Sequence, residues 1–363
     1  MNRRVALAPE PEPGAAARAR TGAEPGAART SAEPGAARDE GLRLFVMDDS
    51  RTFGEALARA LQLPASAHEE RAFEDGEHKS RPLVSVRGAD VYVLQSLYGD
   101  PLHSGNDKLC RLLFFIGALK DAAAARVTAV VPYLAYARKD RQTKPRDPVT
   151  TRYLAALFEA VGTDVVMTLD VHNLSAFQNA FRCRTEHLEA NSLFVEYAAA
   201  HFGAQPLVVV APDAGATKRA EHFRLALAQV LGRPVGAAFA EKFRSEGRLS
   251  GELLAGDVEG RVALIVDDLV STGGTLARTA ALCRRHGAQQ VIAIATHGLF
   301  MGEASRTLAG SAIDRIVIAD SVPPFRLENN AARDKLVVLS AAPLFAAAIR
   351  HAHAGARSRA PAG

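Results

Sequence analysis

Residues 261–276 read RVALIVDDLVSTGGTL, and the fold is decided there. Val262 to Val266 is an unbroken aliphatic run with no helical spacing, the pattern of a parallel strand buried on both faces. Two carboxylates, Asp267 and Asp268, stand at its carboxyl end. Ser271-Thr272-Gly273-Gly274-Thr275 follows as a turn of small residues, and a helix then runs to about His286. Glycines let backbone approach a phosphate closely, while hydroxyls and helix-N-terminal N–H groups donate to its oxygens. Asp267 and Asp268 cannot share that task, because an anion repels an anion. They suit sugar hydroxyls or a hydrated Mg²⁺ instead. A phosphorylated sugar satisfies both halves of the loop. A capped strand-to-helix turn without a ligand is the plain alternative, but two acids leading into STGGT are not its common composition.

The same design recurs outward from this stretch. Leu42 to Met47 reads as a strand and Thr52 to Leu63 as an amphipathic helix. Val91 to Gln95 and Val127 to Val131 are strands around a long helix, Asn106 to Ala124, and a further helix covers about Val149 to Val161. Val165 to Leu169 is a strand ending in Asp170-Val171-His172, and Leu207 to Ala211 ends in Pro212-Asp213-Ala214-Gly215-Ala216. Val291 to Thr296, Arg315 to Ala319 and Leu336 to Leu339 continue the alternation, before a helix from Ala342 to about His351. Repeated strand–helix units predict an α/β protein with a parallel sheet in each half. We divide the chain into a tail (1–41), two α/β domains (42–189 and 190–340), and a C-terminal helix with a ragged end (341–363). In the tail the unit Glu-Pro-Gly-Ala-Ala recurs at Glu12, Glu24 and Glu33. It offers nothing bulky to bury, so disorder is expected.

Composition narrows the partners. The chain has 363 residues, with 44 Lys and Arg against 40 Asp and Glu, a net charge of only +4. No basic block or aromatic-studded groove accompanies it, so no nucleic-acid partner is expected. Cys110, Cys183 and Cys283 are few, odd in number and far apart. They argue for a reducing, cytoplasmic setting and against a disulfide framework or a Cys-based zinc site. No apolar run is long enough to span a bilayer and the N-terminus lacks a signal-peptide core, so no membrane role is expected.

Three further segments carry candidate chemistry. Phe73 leads into Glu74-Asp75-Gly76-Glu77, a turn with three carboxylates that on its own reads as a solvated acidic hairpin. Arg138, Lys139, Arg141 and Lys144 crowd a Pro-bounded loop after a buried strand. Open α/β sheets bind ligands at such edges, and a basic loop there suits polyphosphate. His172 beside Asp170 at a sheet edge is either a satisfied structural histidine or a metal or phosphate contact.

VDDLVSTGGTL resembles the phosphoribosyl-pyrophosphate (PRPP) loop shared by type I phosphoribosyltransferases and ribose-phosphate pyrophosphokinases. The rest of the chain, from about Asp49 to His353, resembles the pyrophosphokinases. Phe73-Glu74-Asp75-Gly76-Glu77 is similar to their adenine-binding hairpin, and Tyr136-Ala137-Arg138-Lys139-Asp140-Arg141, Asp170-Val171-His172, Pro212-Asp213-Ala214-Gly215 and Thr296-His297-Gly298-Leu299-Phe300 follow in family order. Departures include Ser271 for a usual Asp, Lys139 for a usual Gln, and Phe177-Gln178-Asn179-Ala180-Phe181.

The resemblance implies two phosphoribosyltransferase-like domains and Mg²⁺-dependent diphosphoryl transfer from ATP to ribose 5-phosphate. It places ATP at Phe73, Asp75, Glu77, Arg138, Asp140 and His172, and the sugar phosphate at Asp267, Asp268, Ser271, Thr272, Gly273, Gly274 and Thr275. His172 and Asp213 are the implied metal contacts, and a dimer-based homo-oligomer is implied because the hairpin reaches a neighbouring subunit. Glu241-Lys242-Phe243-Arg244 resembles the family's Lys-Arg-Arg, which makes Lys242 and Arg244 the implied catalytic cations. Two apart on an extended segment, they share one face, and Ser245 to Gly251 reads as a mobile flap. A phosphoribosyltransferase explains only the one loop, and a non-catalytic associated subunit would not need Lys242 and Arg244. Deleting Met1 to Arg38 is expected to leave turnover and oligomer size nearly unchanged, as measured by steady-state kinetics and light scattering.

Overall fold

The computed structural model describes residues 41–245 and 248–357, and the side chains of 241–252, 356 and 357 lie outside that description. The first 40 residues, expected to be a disordered tail, also lie outside it. The chain then runs β1 (Leu42–Val46), α1 (Arg51–Leu61), a hairpin of β2 (His68–Ala72) and β3 (His78–Pro82), β4 (Asp90–Leu94), α2 (Gly105–Asp121), β5 (Arg126–Val131), α3 (Thr150–Ala160), β6 (Val165–Leu169), α4 (Leu174–Ala180) and β7 (Arg184–Leu188). It continues through α5 (Asn191–Phe202), β8 (Leu207–Ala211), α6 (Thr217–Leu231), β9 (Gly236–Ser245), β10 (Arg248–Ala255), β11 (Val262–Val270), α7 (Gly274–Arg285), β12 (Gln290–Gly298), α8 (Ala304–Ala309), β13 (Arg315–Ala319), α9 (Ala331–Asp334), β14 (Leu336–Leu339) and α10 (Ala342–Arg357).

Two parallel sheets result. The first has the order β1-β4-β5-β6-β7 and the second β10-β9-β8-β11-β12-β13-β14, antiparallel only at β9–β10. Period-two alternation explains why the strands read as continuous apolar runs. Along β4, Tyr92 and Leu94 join one core while Val91 and Val93 join another on the opposite face. The first of these cores spans both sheets, gathering Leu42 and Leu44 with Val209, Leu264 and Val317.

Strand order fixes where a ligand can enter. In the second sheet the chain moves from β8 outward to β9, then returns to place β11 on the other side of β8. This reversal opens a crevice at the carboxyl ends of β8 and β11, where open α/β sheets bind ligands. Asp213 follows β8, and Asp267 and Asp268 sit on β11.

Most boundaries match the sequence reading, with β6, β8, β13 and β14 as expected. Strand β11 does not end at Val266 but continues to Val270, because β12 runs beside it in register from Val262↔Gln290 to Val270↔Gly298. Ladder pairing with β12 thus overrides the polarity of the two acids. The expected flap, Ser245 to Gly251, falls at the end of the β9–β10 hairpin, in which Lys242 pairs with Glu252 and Arg244 with Leu249, and residues 246–247 lie outside the described residues.

Helix α10 leaves the second sheet and packs back on α1, with Phe345 fully buried and edge-on to Phe53 at 5.5 Å between ring centroids. Beyond it, His353 Nδ1 lies 2.7 Å from Asp90 Oδ2, and Arg126 donates to the Ala352 carbonyl at 3.2 Å. No described helix is long and apolar enough to cross a membrane. Phe345→Ala is expected to cost about 3–5 kcal/mol through lost burial and an unfilled cavity, read as a lowered midpoint in denaturant unfolding.

Candidate functional site

The turn between β11 and α7 has the geometry of a helix-terminal anion cradle. Gly273 has φ +76°, and a Cβ there would come within 2.9 Å of the Leu308 side chain, so glycine is required twice over. It caps α7, whose first N–H groups lack intrahelical acceptors and point out of the helix end. Ser271, Thr272, Gly273, Gly274 and Thr275 line one cavity together with Arg138, His172, Asp213, Arg219, Asp267 and Asp268.

The two adjacent acids have different environments. Asp268 is buried at 6% exposure. Its Oδ2 accepts from His172 Nδ1 at 2.5 Å, and its Oδ1 lies 3.8 Å from Arg219 Nη1. Burial alone would raise its pKa, but the His172 hydrogen bond and the Arg219 charge outweigh burial and hold it well below the usual carboxylate range. Among the described residues Asp267 has no such cation. Burial, the Asp268 charge and the nearby Asp213 push its pKa up to about 7, against the 2.8 Å bond its Oδ1 accepts from the Asp268 N–H. His172 is raised in turn, first by its hydrogen bond to Asp268 and against the burial that would lower it. The two adjacent carboxylates are therefore inequivalent: Asp268 is held by His172 and Arg219, while the pKa of Asp267 is raised.

Asp213 is held in extended backbone, with φ −163°, and its Oδ1 accepts from Gly215 N at 3.0 Å and Ala216 N at 3.2 Å. Asp213 also lines the cavity. Among the described residues no three His, Cys, Asp or Glu side chains converge as a metal cage. A cation here would need oxygens from substrate and water.

The sequence candidates separate into four groups. Arg138, His172, Asp213, Asp267, Asp268 and the Ser271 to Thr275 turn come together. Asp140 sits one step away, accepting from Asn173 Nδ2 at 2.7 Å, on the wall of a second cavity of about 480 Å³ behind His172. Phe73, Asp75 and Glu77 are exposed at the tip of the β2–β3 hairpin and do not line either cavity of their own chain. The side chains of Lys242 and Arg244 lie outside the described residues.

Two contributors escape the sequence reading. Arg219 reaches Asp268 from the first turn of α6, and its position six residues after Asp213 in a strand–turn–helix unit was the available signal. Asp147 organises the basic loop. It pairs with Lys139 at 2.6 Å and accepts from the Thr143 hydroxyl at 2.6 Å and the Thr143 and Lys144 N–H groups at 3.0 Å. The Lys139 and Thr143 side-chain bonds hold its carboxyl far below the usual range. Of the four bases, Lys139 is therefore engaged inside the loop, whereas Arg138 faces the cavity.

Comparison with known proteins gives the family. Residues 42–162 match the N-terminal domain of ribose phosphate pyrophosphokinase, and residues 251–359 match the phosphoribosyl synthetase-associated domain. The chain is 38% identical over 315 residues to the ribose-phosphate pyrophosphokinase of Caldanaerobacter subterraneus subsp. tengcongensis, covering 86% of this chain and 95% of that one. It is 35% identical to the Aquifex aeolicus enzyme of the same name, covering 87% and 97%. The crystal structure of phosphoribosylpyrophosphate synthetase from Mycobacterium smegmatis superposes with a TM-score of 0.77 at 33% identity, covering 87% of this chain and all of that one. With the phosphate turn, the paired acids and both halves of the fold accounted for, this chain belongs to the ribose-phosphate pyrophosphokinase family of enzymes.

Proposed function

We propose that the protein transfers a diphosphoryl group from ATP to the C1 hydroxyl of D-ribose 5-phosphate, giving PRPP and AMP. The observation that carries this reading is the convergence, at the reversal point of the second sheet, of an anion-binding turn with Asp267, Asp213 and the His172–Asp268 pair. Ribose 5-phosphate sets its phosphate on Ser271 to Thr275 and its ring hydroxyls against Asp267 and Asp268. ATP lies on the His172 side, between Arg138 and Asp140, with Phe73, Asp75 and Glu77 supplied by a neighbouring copy. That the hairpin tip is exposed and away from its own cavity supports a dimer-based homo-oligomer. Three free thiols fit a cytoplasmic enzyme.

The C1 oxygen attacks the β-phosphorus in line, the bond from that phosphorus to the α,β-bridging oxygen breaks, and AMP departs with the oxygen. The C1 hydroxyl gives up its proton as the new bond forms. The protein's task is positioning and charge stabilisation, because no covalent intermediate is needed. Arg138 meets the polyphosphate, and Lys242 with Arg244 meets the charge that develops on the β-phosphoryl group.

The donor set fits Mg²⁺. Asp213 and Asp267 line one cavity and form no ion pair among the described residues, and His172 carries a carboxylate on Nδ1, as metal-binding histidines commonly do. Mg²⁺ completes its shell with water and phosphate oxygens and takes only one or two protein carboxylates. His172 and Asp213 would hold it, and when bound it would offset negative charge on the phosphates.

Purified protein given ATP, ribose 5-phosphate and Mg²⁺ is expected to release AMP only when the sugar is present, and sugar-independent or absent release contradicts the proposal. Asp267→Ala and Asp268→Ala are each expected to raise KM for ribose 5-phosphate far more than KM for ATP; equal losses would point to a metal shared by both substrates. Lys242→Ala and Arg244→Ala are each expected to lower kcat by at least ~10²-fold, the usual cost of removing one preorganised donor, with ATP binding changed much less.

A further inference from the structure

Asp170 has φ +38°, in the left-handed region that few residues other than glycine enter. Such strain persists only where the surroundings enforce it. Part of the enforcement is local, since Asp170 N donates to the Leu188 carbonyl at 2.9 Å and Val171 N to His187 Nε2 at 3.2 Å, and part comes from the other sheet. The Asp170 carboxylate accepts from the Thr296 hydroxyl of β12 and from Ala190 N at 3.2 Å. The adjoining carbonyls of Leu169 and Asp170 lie 3.1 and 3.2 Å from His297 Nε2. Carbonyls only accept, so Nε2 carries the proton and Nδ1 accepts from the Ser321 hydroxyl at 2.8 Å. The fully buried His297 ring is held neutral by its burial.

Strand β12 is shaped for this contact. Its pairing with β13 slips between Ala295 and His297, so Thr296 is the extra residue of a bulge. Bulges re-aim side chains beside active sites, and this one brings the Thr296 hydroxyl to Asp170. Two residues later His172 reaches Asp268. We infer that Thr296 and His297 are positioning residues, which hold Asp170 in its left-handed conformation from across the sheets and thereby aim His172 at Asp268 and the substrates. The kinetic consequence rests on the reaction proposed above.

The test uses the full-length protein. Thr296→Val keeps the branched shape and removes the hydroxyl, while Thr296→Ser keeps the hydroxyl. Thr296→Val is expected to lower kcat roughly 10- to 100-fold, the scale of loss from sub-ångström to ångström misplacement of a reacting group, with KM for ribose 5-phosphate little changed and Thr296→Ser close to wild type. In a His172→Ala background the same Thr296→Val change is expected to cost nothing further. An unchanged kcat, or a loss repeated in full without His172, overturns the proposal.

A second measurement stands apart from activity. The His172 ring signal in a long-range ¹H–¹⁵N NMR spectrum, identified by its disappearance in His172→Gln, is expected to shift in Thr296→Val and stay in place in Thr296→Ser. A signal unmoved by Thr296→Val overturns the positioning role even if the wild-type protein proves to make no PRPP, an outcome that would instead remove the proposed reaction. Ser321→Ala, which takes the hydroxyl from His297 Nδ1, is expected to give the same pattern at smaller size and serves in place of Thr296→Val if that variant does not fold.

Discussion

The site depends on a polar seam where the carboxyl ends of the two sheets meet. From the first sheet come Ser96, whose hydroxyl donates to the Ser321 carbonyl at 2.7 Å and accepts from Tyr133 N at 3.2 Å, and the Leu169 to His172 turn. From the second come Thr296, His297 and Ser321. Buried polar groups are costly unless paired, and a fully paired set fixes one arrangement of its surroundings. Apolar packing between the sheets tolerates sliding more readily than these bonds do. The seam therefore sets the register in which a loop from one sheet faces a phosphate turn from the other.

From that register the electrostatics follow. One acid of the Asp267–Asp268 pair is drawn into the seam by His172 and Arg219, leaving its neighbour in a negative field with the Asp268 N–H as its hydrogen-bond donor. Two carboxylates so close do not ionise alike, and the environment pushes them apart. The result is a cavity with helix-terminal N–H groups at one end and carboxylates at the other. Under the proposed reaction that polarity would orient a sugar phosphate.

Much of this was legible in the sequence because the relevant signals are local. The apolar runs gave β6, β8, β13 and β14 at their observed limits, and small residues after Asp268 marked the turn into α7. What was not legible depends on pairing across distance. β11 extends through two acids because β12 lies beside it in register, which no window around Asp267 reveals. Asp267 and Asp268 read as equivalent, and only the approach of His172 and Arg219 from other elements separates them. The grip of Thr296 on Asp170 spans 126 residues and needs a bulge that alternation alone does not foretell. The β2–β3 hairpin was visible as a turn, yet its place away from its own chain's cavity follows only from its packing on α2, where His78 stacks on Phe114 at 5.4 Å.

The most direct measurement is a crystal structure of the protein with ribose 5-phosphate. Its phosphate is expected on the N–H groups and hydroxyls of Ser271 to Thr275, with the ring hydroxyls toward Asp267 and the His172–Asp268 contact intact. A sugar phosphate bound instead in the cavity behind His172, or bound at the turn with its hydroxyls away from both acids, would contradict the assignment of this crevice.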